Sequence, residues 1–197
     1  KVYGGLRFFE RQEIKHALAY LRLMANQEDD GALLRVINFP TRGIGARSIE
    51  SIQSNARLSG ASLWQATCAG GGRSGAALAN FVNLIERLRS ETQQMTQAEQ
   101  IEHMLEHSGL RAFYRNEKDG AERLENLNEL TNAAVNYLAE ADDRSLTGFL
   151  SRASLEAGEH QAQAGQQALQ LMTVHAAKGL EFHAVFISGL EEGLFPH

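Results

Sequence analysis

The stretch VYGGLRFFERQEIKHALAYLRL, residues 2–23, predicts how the chain begins to fold. Val2 and Tyr3 are predicted to end a short apolar strand, and two glycines follow them. After the glycines, apolar residues recur at the spacing of one helix face: Phe9, Ile14, Leu18 and Leu21. We therefore expect a fragment of α/β structure that leads into an amphipathic helix.

Residues 8–155 contain no strand pattern, and their apolar residues recur with helical spacing. Three more amphipathic helices are predicted from the following sets: Leu78, Phe81, Val82, Ile85 and Leu88; Leu124, Leu127, Leu130, Ala134 and Leu138; Leu146, Phe149, Leu150 and Ala153. Ser145 is the expected N-cap of the last helix. Trp64, Phe81 and Phe149 occupy apolar positions, which favours core packing over stacking on nucleic-acid bases.

The far end of the chain returns to an α/β pattern, because AVFISGL at residues 184–190 is typical of a buried strand. Before it, the polar stretch EAGEHQAQAGQQ at residues 156–167 is typical of a mobile linker. The predicted fold is therefore mainly α, with a helical domain inserted into an α/β domain whose fragments lie at both ends.

Composition narrows the function classes. The chain has 197 residues, 43% of them hydrophobic and 22% charged, which suits one or two soluble domains. No apolar run approaches the roughly 20 residues of a membrane span, and the start lacks a signal-peptide layout. Cys68 is the only cysteine, which favours a reducing, cytoplasmic setting. The net charge of -5 argues against coating nucleic acid by bulk charge but allows a local basic face.

A self-contained active site is not indicated. The glycine-rich stretch CAGGGRSGA, residues 68–76, lacks the lysine and the preceding strand of a P-loop, so a helix–helix connection is favoured. One cysteine and seven scattered histidines give no zinc-ligand spacing. A G-x-S-x-G nucleophile elbow is also missing, although sequence alone does not exclude a Ser/His/Asp triad.

A phosphate-binding turn is predicted in FPTRGIGARSIESI, residues 39–52. Gly43 and Gly45 flank a tight turn before a new helix, whose N-terminal N–H groups and positive dipole end favour a phosphate. Arg42, Arg47 and Ser48 flank the turn and add charge and a hydroxyl. Such contacts read the backbone and not the bases. The alternative is an ordinary helix-joining turn in which glycine serves geometry alone.

Three stretches carry a family resemblance. The GIG turn, with apolar residues four and seven positions on, is similar to the helix-hairpin-helix, a sequence-independent duplex binder. Residues 2–23 and LMTVHAAKGLEFHAVFISGLEEGLFPH, residues 171–197, resemble the superfamily 1 DNA helicases of the UvrD/Rep/PcrA group, most closely its UvrD branch. The first matches the motif that opens the second half of that motor, and the second matches the family's motif V.

The resemblance implies a domain organisation. The family's motor has two RecA-like domains, 1A and 2A, each interrupted by a helical insertion. Residues 1–24 would then belong to 2A, 25–155 to the helical 2B insertion, 156–168 to a linker, and 169–197 to 2A with motif V. Walker A and Walker B motifs are missing, so the chain alone is expected to be inactive. ATP and Mg²⁺ are expected only in the full-length helicase, which would unwind DNA 3′ to 5′ in repair or replication.

The resemblance also assigns roles within motif V. Glu181 would accept a hydrogen bond from the nucleotide ribose, and Gly179 would allow close approach near the phosphates. Thr173 and His175 would contact the single-strand backbone. Lys178 would either bind a phosphate or hold the loop through an ion pair. The alternatives are that Glu181 caps its own helix and that His175 packs at a strand end.

Lys15 and Arg22 lie seven residues apart on the first predicted helix, so they share a face. In the family this helix faces duplex DNA, although a solvated face is an equal alternative. The expected duplex contacts are the following: Lys15, Arg22, Thr41, Arg42, Gly43, Gly45, Arg47 and Ser48. Expected partners are single-stranded DNA, the single-strand/duplex junction and DNA-repair proteins. The competing hypothesis is a non-catalytic interaction or autoinhibitory module, in which the arginines around the turn are consumed in salt bridges.

Overall fold

Helices dominate the structure, a computed structural model that describes residues 8–157 and 181–187. The chain divides into two units, residues 1–160 and 161–197. In the first unit the helices are α1 (Gln12–Ala25), α2 (Asp30–Val36), α3 (Ala46–Ser59), α4 (Leu63–Cys68), α5 (Gly75–Glu91), α6 (Gln97–His107), α7 (Leu110–Arg115), α8 (Gly120–Glu140) and α9 (Leu146–Ala157). Short 3-10 turns span Phe8–Glu10 and Gly72–Ser74. The described residues form no strand, which confirms the mainly α class.

Helix α1 lies at the centre of the first unit and packs against α2, α5, α6, α8 and α9. The predicted positions Ile14, Leu18 and Leu21 are buried, as expected. However, Glu13, His16 and Tyr20 on the other sides of the helix are buried as well. Because α1 packs against five other helices and is buried over most of its surface, it is a core helix and not a surface amphipathic one.

The other three predicted helices are confirmed as α5, α8 and α9. Ser145 caps α9 as predicted, because its Oγ accepts a hydrogen bond from Gly148 N at 3.0 Å. The rings of Trp64, Phe81 and Phe149 are buried, which confirms that they pack in the core. The glycine-rich stretch after Cys68 joins α4 to α5 through a 3-10 turn, as a helix–helix connection should.

The start and the end of the helical unit lie side by side. The 3-10 turn Phe8–Glu10 packs against α9. Phe8 and Phe9 share an open groove with Ala153 and Glu156, the latter near the end of α9. The chain therefore leaves the described helices close to where it entered them.

In the second unit the described residues are 181–187, and all of them are exposed without regular secondary structure. The buried strand predicted at residues 184–190 is therefore wrong for 184–187. An apolar run becomes a strand only where a partner strand takes its backbone hydrogen bonds, and no described residue offers one here, so the pattern alone is not sufficient. The predicted linker begins inside α9, and its remainder lies outside the described residues, as do Val2 and Tyr3. Within the described range, no helix is long and apolar enough to cross a membrane.

Buried polar residues of α1 are paired with α7 and α8. The Glu13 carboxylate accepts hydrogen bonds from Arg123 Nη1 at 3.0 Å and Asn126 Nδ2 at 2.7 Å. His16 Nδ1 lies 2.6 Å from the Tyr114 hydroxyl, and its ring stacks on Phe39. Burial, followed by the positive charge of Arg35, lowers the pKa of His16 from 6.5 to about 4.

This pKa shift predicts a pH-dependent stability. Because the folded pKa of His16 is depressed, the unfolded chain binds a proton below about pH 6.5 and the folded chain only below about pH 4. The stability from neutral His16 is therefore full above pH 6.5 and falls by about 3 kcal/mol as the pH drops to 4. We expect His16→Gln to reduce the difference in urea-unfolding free energy between pH 7.5 and 4.5. The exposed His107→Gln is the control, and a parental pH difference in His16→Gln would contradict the assignment.

Candidate nucleic-acid interface

The turn that joins α2 to α3 places one apolar side chain between two glycines. Ile44 is 0% exposed and anchors the turn in the core. Gly43 has a φ of 81°, a left-handed conformation that side chains disfavour, and Gly45 is the N-cap of α3. A Cβ placed on either glycine would meet nothing within 4 Å. The turn therefore buries its isoleucine and leaves open space in front of both glycines.

The Asn38 side chain shapes this turn from inside. Its Oδ1 accepts hydrogen bonds from Arg42 N at 2.8 Å and from Ile44 N at 3.1 Å. One amide oxygen thus replaces the backbone acceptors that a helix would have offered. Asn38 is a functional residue that the sequence patterns above did not predict, although asparagine side chains commonly bond to nearby backbone groups in turns.

The side chain of Arg42 points into the protein. Its Nη1 donates to the carbonyl oxygens of Pro40 at 2.8 Å and Val36 at 3.4 Å. Its Nη2 donates to Ser108 O at 2.8 Å and to the Tyr20 hydroxyl. The sequence placed Arg42 among the phosphate ligands, and that assignment is corrected here. The guanidinium is occupied by four protein acceptors, so a direct contact to DNA is not retained.

At the start of α3 the backbone donors are only partly used. The amides of Ser48 and Ile49 donate to Gly45 O at 3.0 and 3.3 Å. In residues 8–157, the amides of Ala46 and Arg47 have no acceptor, as usual in a first helical turn. These two N–H groups follow Gly45, beside which the space is open.

The side chains at this helix start remain available to a ligand. Arg47 is exposed and makes no ion pair within the described part of the chain. Ser48 is half-buried, and its Oγ lies 2.7 Å from Ser74 Oγ in the glycine-rich connection. Thr41 is exposed on the other side of the turn. The structure therefore brings Thr41, Gly43, Gly45, Arg47 and Ser48 together in one short segment.

The remaining predicted residues lie elsewhere. Lys15 is half-buried on α1, where its side chain makes no ion pair with a described residue. Arg22 Nη2 donates to Ser154 Oγ, so its guanidinium lies against α9. Glu181 is exposed. The other motif V residues lie outside the described residues: Thr173, His175, Lys178 and Gly179. Among the described side chains, no group of three His, Cys, Asp or Glu is arranged to hold a metal ion.

Charge is distributed unevenly along the chain. Residues 30–85, which include α2, α3 and α4, contain five arginines and two acidic residues, Asp30 and Glu50. Residues 86–157 contain fourteen acidic and eight basic residues. The turn therefore lies in a locally basic segment, although the net charge of the whole chain is -5.

Comparison with known proteins decides the family. The sequence-family model described as the UvrD-like helicase C-terminal domain matches residues 1–197. The chain belongs to this family. It is 49% identical to DNA helicase II of Escherichia coli and 47% identical to that of Haemophilus influenzae, in each case across the whole chain. It is 38% identical, again across the whole chain, to the ATP-dependent DNA helicase PcrA of Bacillus subtilis. The chain spans only 28 to 29% of the length of these UvrD-like relatives.

The two glycines of the turn should respond differently to alanine. At Gly43 the positive φ makes alanine strained, so we expect Gly43→Ala to lower the free energy of unfolding by about 1 kcal/mol. At Gly45 the φ of −81° suits any residue and the added Cβ meets nothing. Gly45→Ala should therefore change stability by less than about 0.5 kcal/mol. Urea titrations measure both free energies of unfolding. An equal loss of stability in the two variants would contradict the left-handed conformation of Gly43 and the extended conformation of Gly45.

Proposed function

We propose that this chain is the 2B insertion, with flanking parts of 2A, of an ATP-dependent DNA helicase that unwinds 3′ to 5′. Its helical unit binds duplex DNA at the single-strand/duplex junction without reading base sequence. The observation that carries this proposal is the open turn at the start of α3. There Gly43 and Gly45 leave room for a phosphate, and Arg47 beside them makes no ion pair with any residue that the structure describes.

The chemistry of the turn suits a phosphate oxygen. The amides of Ala46 and Arg47 lie at the N-terminal end of α3, a 14-residue helix, where the helix dipole is positive. Arg47 adds a full charge, and the Ser48 hydroxyl adds a donor. Each of these groups can donate a hydrogen bond to a phosphate oxygen, and contacts to phosphates carry no base information, so binding would be independent of sequence.

Surrounding charge supports the same partner. The segment 30–85 carries five arginines against Asp30 and Glu50, so its net positive charge favours a phosphate that approaches the turn. The competing hypothesis of an interaction module expected the arginines to be consumed in salt bridges. Among the described residues Arg47 is in no salt bridge, and Arg42 is held by neutral acceptors. This favours DNA over a protein partner at the turn.

The roles that we propose for motif V rest on the resemblance to the helicase family. In the full-length enzyme, with ATP and Mg²⁺ bound, Glu181 would accept from the ribose and Gly179 would let the phosphates approach. Thr173 and His175 would contact the single strand, and Lys178 would bind a phosphate or brace the loop. On α1, Lys15 and Arg22 would add duplex contacts. DNA-repair proteins are the proposed protein partners, in the cytoplasm.

Arg47→Ala tests the duplex contact. If Arg47 neutralises one phosphate, the variant should bind a junction duplex more weakly, and its log–log salt slope should fall in magnitude by about 0.9. Fluorescence anisotropy of the 197-residue chain across salt concentrations measures both. The control is Arg115→Ala, which removes an exposed arginine at the end of α7 in the acidic segment. A parental slope in Arg47→Ala would argue that the turn is scaffolding.

Glu181→Ala tests the nucleotide contact. In the full-length protein the change removes the proposed acceptor of the ribose hydroxyl, so ATP affinity should fall by about tenfold. Equilibrium binding of a fluorescent ATP analogue measures this, with affinity for the duplex as the internal control. Unchanged nucleotide affinity would rule out the role given to Glu181.

A further inference from the structure

Arg42 connects four separate parts of the helical unit. Its guanidinium donates to the Tyr20 hydroxyl on α1, to Val36 O in α2, to Pro40 O, and to Ser108 O at the end of α6. Val36 and Pro40 are close to Arg42 in sequence, whereas Tyr20 and Ser108 are distant from it. One planar side chain thus fixes how the turn sits on the core.

The backbone of Arg42 is held as firmly as its side chain. Its own N–H donates to Asn38 Oδ1, which also accepts from Ile44 N. Gly43 lies between these two bonded residues and holds the left-handed φ of 81°. The residues that shape the open turn are therefore tied to the core on both sides of Gly43.

The interactions of Arg42 need the shape of the guanidinium and not its charge alone. Its Cζ lies 5.7 Å from the ring centres of both Tyr20 and Phe81. Two nitrogen atoms each serve two acceptors in fixed directions. A lysine ammonium carries the same charge but lacks the planar fork, so it cannot reproduce this set.

We propose that Arg42 is a positioning residue for duplex binding. It holds residues 43–48 in the open conformation that admits a phosphate, and it does so without touching DNA. This inference rests on the proposed function, because it explains how the binding turn is kept ready. Affinity then depends on a preorganised turn, since a loose one would lose entropy on binding.

The decisive comparison is the same substitution at two arginines five residues apart. Arg47→Lys keeps the charge of an exposed phosphate contact, so duplex affinity should stay within about threefold of the parent. Arg42→Lys keeps the charge but loses the fork. Duplex affinity should fall by about tenfold at every salt concentration, with an unchanged salt slope. Parental affinity in Arg42→Lys would overturn the proposal.

A stability control separates positioning from general weakening. Arg123→Lys disturbs another arginine that lies over a ring, that of Tyr114, and that is paired with Glu13 on α1. Its melting temperature should fall while its duplex affinity stays parental. Equal losses of affinity in Arg123→Lys and Arg42→Lys would reduce Arg42 to a stabilising residue and overturn the proposal.

Two further measurements keep the outcome clear. If Arg42→Lys does not fold, Tyr20→Phe removes one acceptor conservatively and should weaken duplex binding by about threefold. Hydrogen exchange without DNA gives a readout that is independent of the proposed function. The Ile44 amide, which donates to Asn38 Oδ1, should exchange faster in Arg42→Lys or Tyr20→Phe than in the parent. Unchanged exchange at Ile44 overturns the positioning role even if the chain binds duplex, whereas faster exchange without duplex binding refutes only the proposed function.

Discussion

Burial of α1 over most of its surface is the constraint on which the helical unit depends. Five helices surround it, so its polar residues as well as its apolar ones must find partners inside the protein. Glu13 is met by Arg123 and Asn126, and His16 by Tyr114. Apolar burial provides the driving force for this arrangement. The directional polar pairs determine which side of α1 faces α7 and α8.

Tyr20 carries this constraint from the core to the candidate interface. Its hydroxyl donates to Phe39 O at 2.6 Å and accepts from Arg42. Burial raises the pKa of Tyr20 to about 12, so the hydroxyl keeps its proton and can do both at neutral pH. The turn between α2 and α3, which exposes Gly43 and Gly45, is therefore held in place by hydrogen bonds to the buried helix α1. A binding element supported in this way loses little conformational freedom when a ligand arrives.

Sequence patterns predicted the helices well, because burial of one side leaves a 3.6-residue period in α5, α8 and α9. They also indicated the Ser145 cap and the buried Trp64, since both depend on local chemistry. They did not show that Arg42 points inward, because its acceptors at Tyr20 and Ser108 are distant in sequence. Asn38 was missed for a related reason, since a turn residue reveals its bonds only when the turn is built. At residues 184–187 the pattern predicted a buried strand, but the residues are exposed, because an apolar run does not determine which other residues pack against it.

The closeness of the two ends of the helical unit has a consequence for any domain that hosts it. Phe8 and Phe9 pack against α9, which ends at Ala157. If an insertion of this length were disordered, folding of the host domain would lose the entropy of closing a very long loop. A folded insertion with adjacent ends avoids this entropy cost, because the host domain has to span only the short distance between two neighbouring backbone segments. Loops remote from this junction can therefore lengthen or shorten without altering the spacing imposed on the host.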